Sequence, residues 1–297
     1  MTSPLLELDH VTKRFGRVVI AEDLSFAVGS GDTVGIVGPN GAGKTSLFGL
    51  ISGDLAPEAG EVRFAGRTVT RLDAAARCRL GVGRTYQVPR PFGDMTVFEN
   101  LLVAAQQGSG LRRRASYAAA VGALERAGMT AHANVPAERL GLLQRKRLEL
   151  ARALATKPAL LLLDEVAGGL TDPEVAQLVE IVRGVNAEGV AVIWIEHVVR
   201  ALTALVGRLI CLTGGSFAGD GEPAAVLAEP AVREVFLGTE VTAALAGGTL
   251  EARGGLGPSG SGATGVRGVP GEHSPRDGTV APRASEAPAA DGERSEP

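Results

Sequence analysis

Aromatic residues are scarce in this 297-residue chain: they make up 4% of it, although 45% of the residues are hydrophobic. We therefore expect a core built from Leu, Val, Ala and Ile. The two cysteines, Cys78 and Cys211, form no metal-binding or redox motif, so we expect buried thiols in a reducing compartment. The first residues lack the basic and apolar stretches of a signal peptide, and we expect none. No run of about 18 uncharged apolar residues occurs, which predicts that no segment spans a membrane.

The chain also lacks an excess of charge of one sign. It carries 30 basic and 33 acidic residues, a net charge of −3 at pH 7. Proteins that bind nucleic acids usually present a strongly basic surface, so this balance predicts no nucleic-acid partner. The length is sufficient for one large domain or two ordinary ones.

The C-terminal segment, residues 247–297, has an unusual composition. It contains 12 Gly and 6 Pro, and it has no Phe, Tyr, Trp, Ile or Met. Such a segment buries too little apolar surface to offset the entropy that ordering would cost. We therefore predict a folded domain over residues 1–246, followed by a disordered tail.

Strand and helix patterns alternate along residues 1–246, as is typical of an α/β domain with a mainly parallel sheet. The strands are predicted at 5–10, 18–28, 32–37, 61–64, 160–163, 190–195 and 208–212. The helices are predicted at 45–51, 96–107, 113–127, 143–155 and 173–188. We expect the strands at 5–10, 18–28 and 61–64 to form an N-terminal antiparallel layer.

One octet, Gly-Pro-Asn-Gly-Ala-Gly-Lys-Thr at residues 38–45, fits the pattern G-x-x-x-x-G-K-[ST] at every fixed position. It follows a predicted strand and opens a predicted helix, which is the context of a phosphate-binding loop. Its glycines let backbone N–H groups point at phosphate oxygens, and the helix N-terminus adds a positive dipole. Lys44 would reach the β- and γ-phosphates, and the Thr45 hydroxyl would ligate Mg²⁺. We expect nucleotide-binding residues at Gly38, Pro39, Asn40, Gly41, Ala42, Gly43, Lys44, Thr45 and Ser46, and the motif by itself also permits kinases and GTPases.

Two acidic residues, Asp164 and Glu165, follow the apolar strand predicted at 160–163. An aspartate at the end of a buried strand can ligate the Mg²⁺ that accompanies a nucleotide. The adjacent glutamate can activate the attacking water. A core strand followed by solvent-facing acids is the other interpretation; the phosphate-binding loop 119 residues upstream favours the catalytic one.

Two single polar residues also follow predicted strands. His197 ends the strand after the Asp-Glu strand, where its side chain would reach a γ-phosphate. Gln87 follows another strand. A lone histidine is more often structural and a lone glutamine more often a surface amide, so neither is informative by itself.

Taken in this order, these elements resemble the ATP-binding subunits of ATP-binding-cassette (ABC) transporters over about residues 5–240. The resemblance implies a P-loop NTPase cassette with a helical subdomain over about residues 88–157. It also implies ATP and Mg²⁺ as cofactors. In that family the position of Gln87 ligates Mg²⁺, the position of His197 contacts the γ-phosphate, and an aromatic near Phe15 stacks on adenine.

Several segments resemble the importer branch that handles branched-chain amino acids and related polar solutes. They are residues 84–92, 95–100, 147–152, 168–170, 195–197 and 232–238. This likeness implies two membrane permeases, a second ATP-binding subunit and, indirectly, an extracytoplasmic solute-binding protein as partners. It places the chain peripherally on the cytoplasmic face of the membrane. No residue identifies the solute, and the second subunit can be identical or different.

The chain departs from this family at its signature sequence, usually Leu-Ser-Gly-Gly-Gln or Leu-Ser-Tyr-Gly-Gln. Gly141 replaces the serine whose hydroxyl would meet the γ-phosphate on the opposite subunit, and Leu143 replaces a glycine. We therefore expect asymmetry: a working site at this chain's own phosphate loop and a slow site where its signature faces a sister subunit. The segment that aligns with the signature is Leu140, Gly141, Leu142, Leu143 and Gln144.

Two other functions stay open. A nucleotide-binding regulatory or structural subunit with weak turnover would fit the altered signature, whereas the intact Glu165 and His197 favour a transport ATPase. A soluble ABC protein that acts on DNA or ribosomes would usually need a second cassette or a basic patch.

Overall fold

The computed structural model describes residues 3–236 of the chain. The predicted boundary at residue 246 and the predicted disordered tail lie outside the described residues. The strands are β1 (Leu6–Phe15), β2 (Val18–Val28), β3 (Thr33–Val37), β4 (Ala59–Phe64), β5 (Arg67–Thr68), β6 (Val82–Arg84), β7 (Leu160–Asp164), β8 (Ala191–Ile195), β9 (Arg208–Thr213) and β10 (Ser216–Gly221).

The helices are α1 (Lys44–Ser52), α2 (Ala74–Leu80), α3 (Val97–Ser109), α4 (Arg113–Arg126), α5 (Leu142–Ala155), α6 (Asp172–Ala187), α7 (Val199–Thr203), α8 (Pro223–Ala228) and α9 (Pro230–Phe236). Two short 3-10 turns, Thr130–His132 and Ala137–Arg139, precede α5. Capping explains two of the starts: Thr96 and Glu99 form a capping box at α3, and Glu174 accepts hydrogen bonds from Thr171 at α6. Within residues 3–236, every helix is too short or too polar to cross a bilayer.

The strands form two sheets. The first is antiparallel, in the order β2-β1-β4-β5, and the second has the order β10-β9-β3-β8-β7-β6. In the second sheet only the β9–β10 pair is antiparallel. The prediction of a mainly parallel core sheet with an N-terminal antiparallel layer is therefore confirmed. Because parallel strands end at the same edge, the segments that follow β3, β6, β7 and β8 lie close together.

The parallel sheet is buried on both faces. Leu160 and Leu162 of β7 pack in a cluster with α1 and the antiparallel sheet. Leu161 and Leu163 pack in a second cluster, which contains α3 to α6. A strand covered on both sides is apolar at every position, which explains the uninterrupted leucine run. Trp194 is fully buried in the second cluster, so this aromatic belongs to the core.

Some sequence predictions need correction. β1 continues to Phe15, five residues beyond the predicted end, because its pairing with β2 persists across irregularities in the register. One irregularity surrounds His10, whose φ of 52° breaks the alternation of inward and outward side chains. β10, rich in glycine, was not predicted at all; it is held by pairing with β9. Cys78 is only partly buried, whereas Cys211 is fully buried, and burial raises the pKa of its thiol to about 11.

Arg77, on α2, supports the far end of the helix that begins in the phosphate-binding loop. Its side chain is 1% exposed. Its Nη1 donates to the carbonyls of Leu50 and Ile51, at 2.6 and 2.9 Å, and its other nitrogens donate to the carbonyls of Leu72 and Thr70. One guanidinium therefore satisfies four carbonyls, two of them at the C-terminal end of α1.

We predict that R77M lowers the free energy of unfolding by about 3 kcal/mol, because it leaves buried carbonyls without donors. Urea unfolding followed by circular dichroism measures this loss. R79M is the matched control, since Arg79 is exposed on the same helix, and we expect a change of less than about 0.5 kcal/mol. Equal midpoints for R77M and R79M would contradict the prediction.

Candidate functional site

The loop between β3 and α1 has a backbone that only glycine allows at two positions. Gly38 and Gly43 have φ angles of 154° and 100°. A Cβ atom at Gly38 would lie 2.1 Å from the carbonyl oxygen of Leu212, and one at Gly43 would lie 2.6 Å from that of Ile20. The loop therefore folds closely on itself, with α1 directly behind it. This geometry supplies the backbone donors and the helix N-terminus that a phosphate site requires.

Lys44 lies over this loop. Its Nζ donates to the carbonyl oxygens of Gly38 and Pro39, at 2.8 and 3.0 Å, and the residue is 6% exposed. Burial lowers the pKa of the Lys44 ammonium, and the charges of Glu165 and Asp164 oppose that shift. Pro39, Asn40, Gly41 and Thr45 are exposed on the outer side of the loop. The charge is thus placed inside a loop that stays open to a ligand.

Asp164, the last residue of β7, presents one unpaired oxygen. The residue is 1% exposed, and its Oδ2 accepts a hydrogen bond from Arg84 Nη2 at 3.2 Å. Its Oδ1 is buried and has no hydrogen-bond partner among the described residues. Burial raises the pKa of Asp164, and the Arg84 charge opposes this shift. A buried acceptor without a donor is costly, and a carboxylate oxygen is a ligand that Mg²⁺ prefers, so this atom fits a metal ion.

Glu165 is held by the two other polar residues singled out in the sequence. Its Oε1 lies 2.7 Å from His197 Nε2, and its Oε2 accepts a hydrogen bond from Gln87 Nε2. The three side chains come from the ends of β7, β8 and the segment after β6. The structure therefore brings Gln87, Glu165 and His197 together beside Asp164, at one edge of the parallel sheet.

The backbone of Glu165 is constrained as well. Its φ of 48° lies in the left-handed region, which is unfavourable for a residue with a side chain. Its N–H donates to the carbonyl of Ile195 at 2.9 Å, and its carbonyl accepts from Lys146 Nζ at 3.1 Å. Buried Glu196 fixes the next turn by accepting from Ala167 N at 2.6 Å. These contacts hold the carboxylate of Glu165 in place.

Sequence reasoning missed the roles of Lys146, Glu196 and Arg84. The available signal was position: Lys146 lies on the buried face of α5, and Glu196 directly follows the apolar strand β8. A charged residue in such a place needs a buried partner. Which partner it meets depends on the packing of α5 against the loop after β7.

The predicted adenine residue, Phe15, lies in the hairpin between β1 and β2 rather than at the end of a parallel strand. Phe15 ends β1, is half exposed, and has Lys13 Nζ 5.1 Å from its ring centroid. Phe15 pairs with Val18 across the turn between β1 and β2. Two residues further along β2, the carbonyl of Ile20 lies next to Gly43. The β1–β2 turn therefore lies beside the start of α1.

The signature segment surrounds the start of α5. Gly141 is the N-cap residue and gives no side-chain hydrogen bond, and Leu142 is half exposed. Within residues 3–236, no hydrogen bond joins segment 140–144 to the loop at 38–46. The chain therefore contains the phosphate loop and the signature as two separate surfaces.

Comparisons with known proteins agree with this geometry. Residues 21–168 match the family model described as ABC transporter. The chain is 34% identical over 253 residues to LivG of Salmonella typhimurium, a high-affinity branched-chain amino acid transport ATP-binding protein, and the match covers 80% of this chain and 99% of that protein. It is 31% identical over 240 residues to LptB of Acidithiobacillus ferridurans, a lipopolysaccharide export system ATP-binding protein, with 80% and 98% covered.

Solved structures of ATP-binding cassettes have the same fold as this chain. The ADP conformation of MJ1267, an ATP-binding cassette of an ABC transporter, superposes with a TM-score of 0.74 at 28% identity. The superposition covers 80% of this chain and 100% of that cassette. Similarity across nearly the full length of these relatives shows that the chain belongs to the ABC transporter family and is an ATP-binding, ATP-hydrolysing member of it.

Proposed function

We propose that this chain hydrolyses ATP to drive an importer for branched-chain amino acids or related polar solutes. The meeting of Lys44, Asp164, Glu165 and His197 at one sheet edge carries the proposal for hydrolysis. The likeness to LivG supports the solute class. The direction of transport rests on the resemblance of segments such as residues 84–92 and 95–100 to the importer branch. The likeness to an export-system protein, LptB, is nearly as high, so transport assays have to decide the direction.

Each residue at the site receives a role. The backbone N–H groups of the loop at 38–46, to which Pro39 contributes none, and the Lys44 ammonium hold the β- and γ-phosphates, and Phe15 stacks on adenine. Thr45, Gln87 and Asp164 would hold Mg²⁺, with Oδ1 of Asp164 as the buried acceptor that lacks a partner among the described residues. When bound, Mg²⁺ neutralises phosphate charge.

Hydrolysis follows from the position of Glu165. Its carboxylate takes a proton from water while the water oxygen forms a bond to the γ-phosphorus. The bond between the γ-phosphorus and the β–γ bridging oxygen breaks, which releases ADP and phosphate. His197 and Gln87 hold one carboxylate oxygen each, so Glu165 is oriented before the water arrives.

The surface next to the site, formed by the loop after Gln87, is a candidate contact for partner proteins. After Gln87, Val88 and Phe92 are exposed, and Arg152 steadies the loop by donating to the Arg90 carbonyl and lying 5.5 Å from the Phe92 ring. We assign this surface, within residues 88–107, to the contact with two membrane permeases. A second ATP-binding subunit and, indirectly, an extracytoplasmic solute-binding protein complete the assembly at the cytoplasmic face of the membrane. The helical subdomain at about 88–157 and the domain at 1–246 remain part of this proposal.

The two nucleotide sites of the dimer are unequal in this proposal. This chain's phosphate loop, completed by a sister's signature, hydrolyses ATP. The sister's loop faces Gly141, which offers no hydroxyl, and the half-exposed Leu142. Loss of a hydrogen bond to a charged phosphate costs about 1.5–3 kcal/mol, a tenfold to hundredfold loss of rate.

We predict that K44A weakens ATP binding by about tenfold to hundredfold, because it removes a charge-assisted contact with phosphate. Fluorescence titration with trinitrophenyl-ATP measures the affinity of the full chain. K157N is the matched control: it also removes one lysine charge, from an exposed residue whose left-handed backbone suits asparagine. Equal affinities for K44A and K157N would contradict the assignment of the phosphate loop.

We predict that E165Q lowers the ATP turnover number by about 10²–10⁴-fold and leaves ATP binding intact, because the amide cannot take the proton. The measurement is phosphate release by the full chain assembled with a sister ATPase and permeases. E125Q is the control, since Glu125 is exposed on α4. Unchanged turnover in E165Q would show that another group activates the water.

We predict that the double variant G141S/L143G raises the ATPase rate of the chain by itself by about tenfold, because serine restores the missing donor. There is room for the serine, because a Cβ at residue 141 would meet only the flexible end of Gln144, 2.9 Å away. G141A/L143G is the control, because it adds the Cβ without the hydroxyl. Equal rates for the two double variants would show that the hydroxyl does not limit hydrolysis.

The alternative function is a nucleotide-binding regulatory or structural subunit with weak turnover. The replaced signature residues Gly141 and Leu143 favour it. ATP binding without hydrolysis, both alone and in every mixed complex, would support this alternative. Activity that requires a sister subunit with a normal signature would support the asymmetric ATPase.

A further inference from the structure

Arg84, the last residue of β6, connects two parts of the site. Its Nη1 donates to Ser52 Oγ at 3.0 Å and to Asp54 Oδ2 at 2.8 Å, at the C-terminal end of α1. Its Nη2 donates to Asp164 Oδ2 at 3.2 Å, at the end of β7. One guanidinium therefore joins the helix that begins at Lys44 to the carboxylate assigned to Mg²⁺.

The guanidinium is confined on its faces as well as at its ends. Its carbon atom lies 5.0 Å from the ring centroid of Tyr86 and 5.8 Å from that of Phe48, and the side chain is 9% exposed. Ser52 Oγ also donates to Asp54 Oδ2 at 2.7 Å, which fixes the two acceptors at the outer end. A planar fork held in this way reaches Asp164 in one orientation.

The consequence appears at Asp164. A carboxylate with both oxygens free rotates about its last torsion angle, whereas one held through Oδ2 directs Oδ1 along a single line. Thr85 Oγ1 accepts from the backbone N–H of Asp164 at 3.1 Å, so the main chain is fixed as well. The oxygen left over, Oδ1, is the buried acceptor without a partner among the described residues.

We propose that Arg84 is a positioning residue for the metal site: it holds Oδ2 of Asp164 so that Oδ1 alone faces the Mg²⁺ ion. The inference rests on the proposed assignment of Asp164 as a magnesium ligand. Lysine cannot replace the arginine, because a single ammonium does not span Asp54 on one side and Asp164 on the other.

Manganese binding tests this role without relying on turnover. The sample contains the full chain and the non-hydrolysable ATP analogue AMP-PNP, with the chain in excess over the analogue. Mn²⁺ is titrated into this sample, and the concentration of free Mn²⁺ is measured from its paramagnetic resonance signal. For R84Q we expect Mn²⁺ affinity to fall about tenfold, while AMP-PNP affinity in EDTA stays within about twofold. We expect R84K, like R84Q, to lower Mn²⁺ affinity and to leave AMP-PNP affinity in EDTA within about twofold.

R63Q is the matched control. Arg63, like Arg84, pairs with more than one carboxylate (Glu7, Asp9 and Glu61), but it lies on the antiparallel sheet and is partly exposed. We expect R63Q to leave Mn²⁺ affinity and AMP-PNP affinity unchanged. Mn²⁺ affinity of R84Q within twofold of the unmodified chain would overturn the inference, and so would an equal loss of metal-free AMP-PNP binding.

Two further variants separate the possible failures. If D164N binds Mn²⁺ as the unmodified chain does, the assignment of the metal ligand fails; if D164N weakens binding and R84Q does not, only the role of Arg84 fails. If R84Q does not fold, D54A provides a second test, because it removes the exposed carboxylate that accepts from Arg84 Nη1 and leaves Arg84 in place. We expect D54A to lower Mn²⁺ affinity about twofold to threefold, and an unchanged affinity would overturn the inference.

Discussion

Burial of the parallel sheet on both faces is the constraint on which the rest of this structure depends. Strands β3, β7 and β8 are apolar along almost their whole length, so a charged side chain has a place only where a strand ends. Because the strands are parallel, these ends share one edge. The phosphate loop, Asp164 and His197 are neighbours for that reason, although long stretches of sequence separate them.

A buried site of this kind needs charges that balance each other. Arg84 offsets Asp164, and Lys44 lies within the influence of both Asp164 and Glu165. Lys146 and Glu196 restrain the left-handed backbone at Glu165 and the turn after it. Removing one partner from such a network destabilises the fold more than breaking a surface ion pair does, because the remaining charge stays buried. The carboxylate of Glu165 is thus held in place by the same contacts that stabilise the loop.

The signature segment obeys a different constraint. It lies at the start of α5, apart from the phosphate loop of the same chain. The fold does not require serine there, because α5 begins at Leu142 after an N-cap glycine, Gly141, that makes no side-chain hydrogen bond. Replacement of the family residues is therefore compatible with the fold, and in the proposed dimer it changes only what the segment offers to a nucleotide on another subunit. This separation allows one chain to carry a complete phosphate site and an altered signature together.

The sequence by itself determined the fold class, the five longest described helices to within two residues, and the side chains that meet at the sheet edge, because periodicity and the G-x-x-x-x-G-K-[ST] octet are local patterns. The short helices α2, α7, α8 and α9 were not predicted. It did not determine β10, the length of β1 or the roles of Arg84, Lys146 and Glu196. β10 depends on pairing with β9, and the continuation of β1 depends on an irregular register with β2. Arg84, Lys146 and Glu196 meet partners that are 80, 19 and 29 residues away in the sequence. Only the packing of the folded chain brings these groups together, so only the tertiary structure decided their roles.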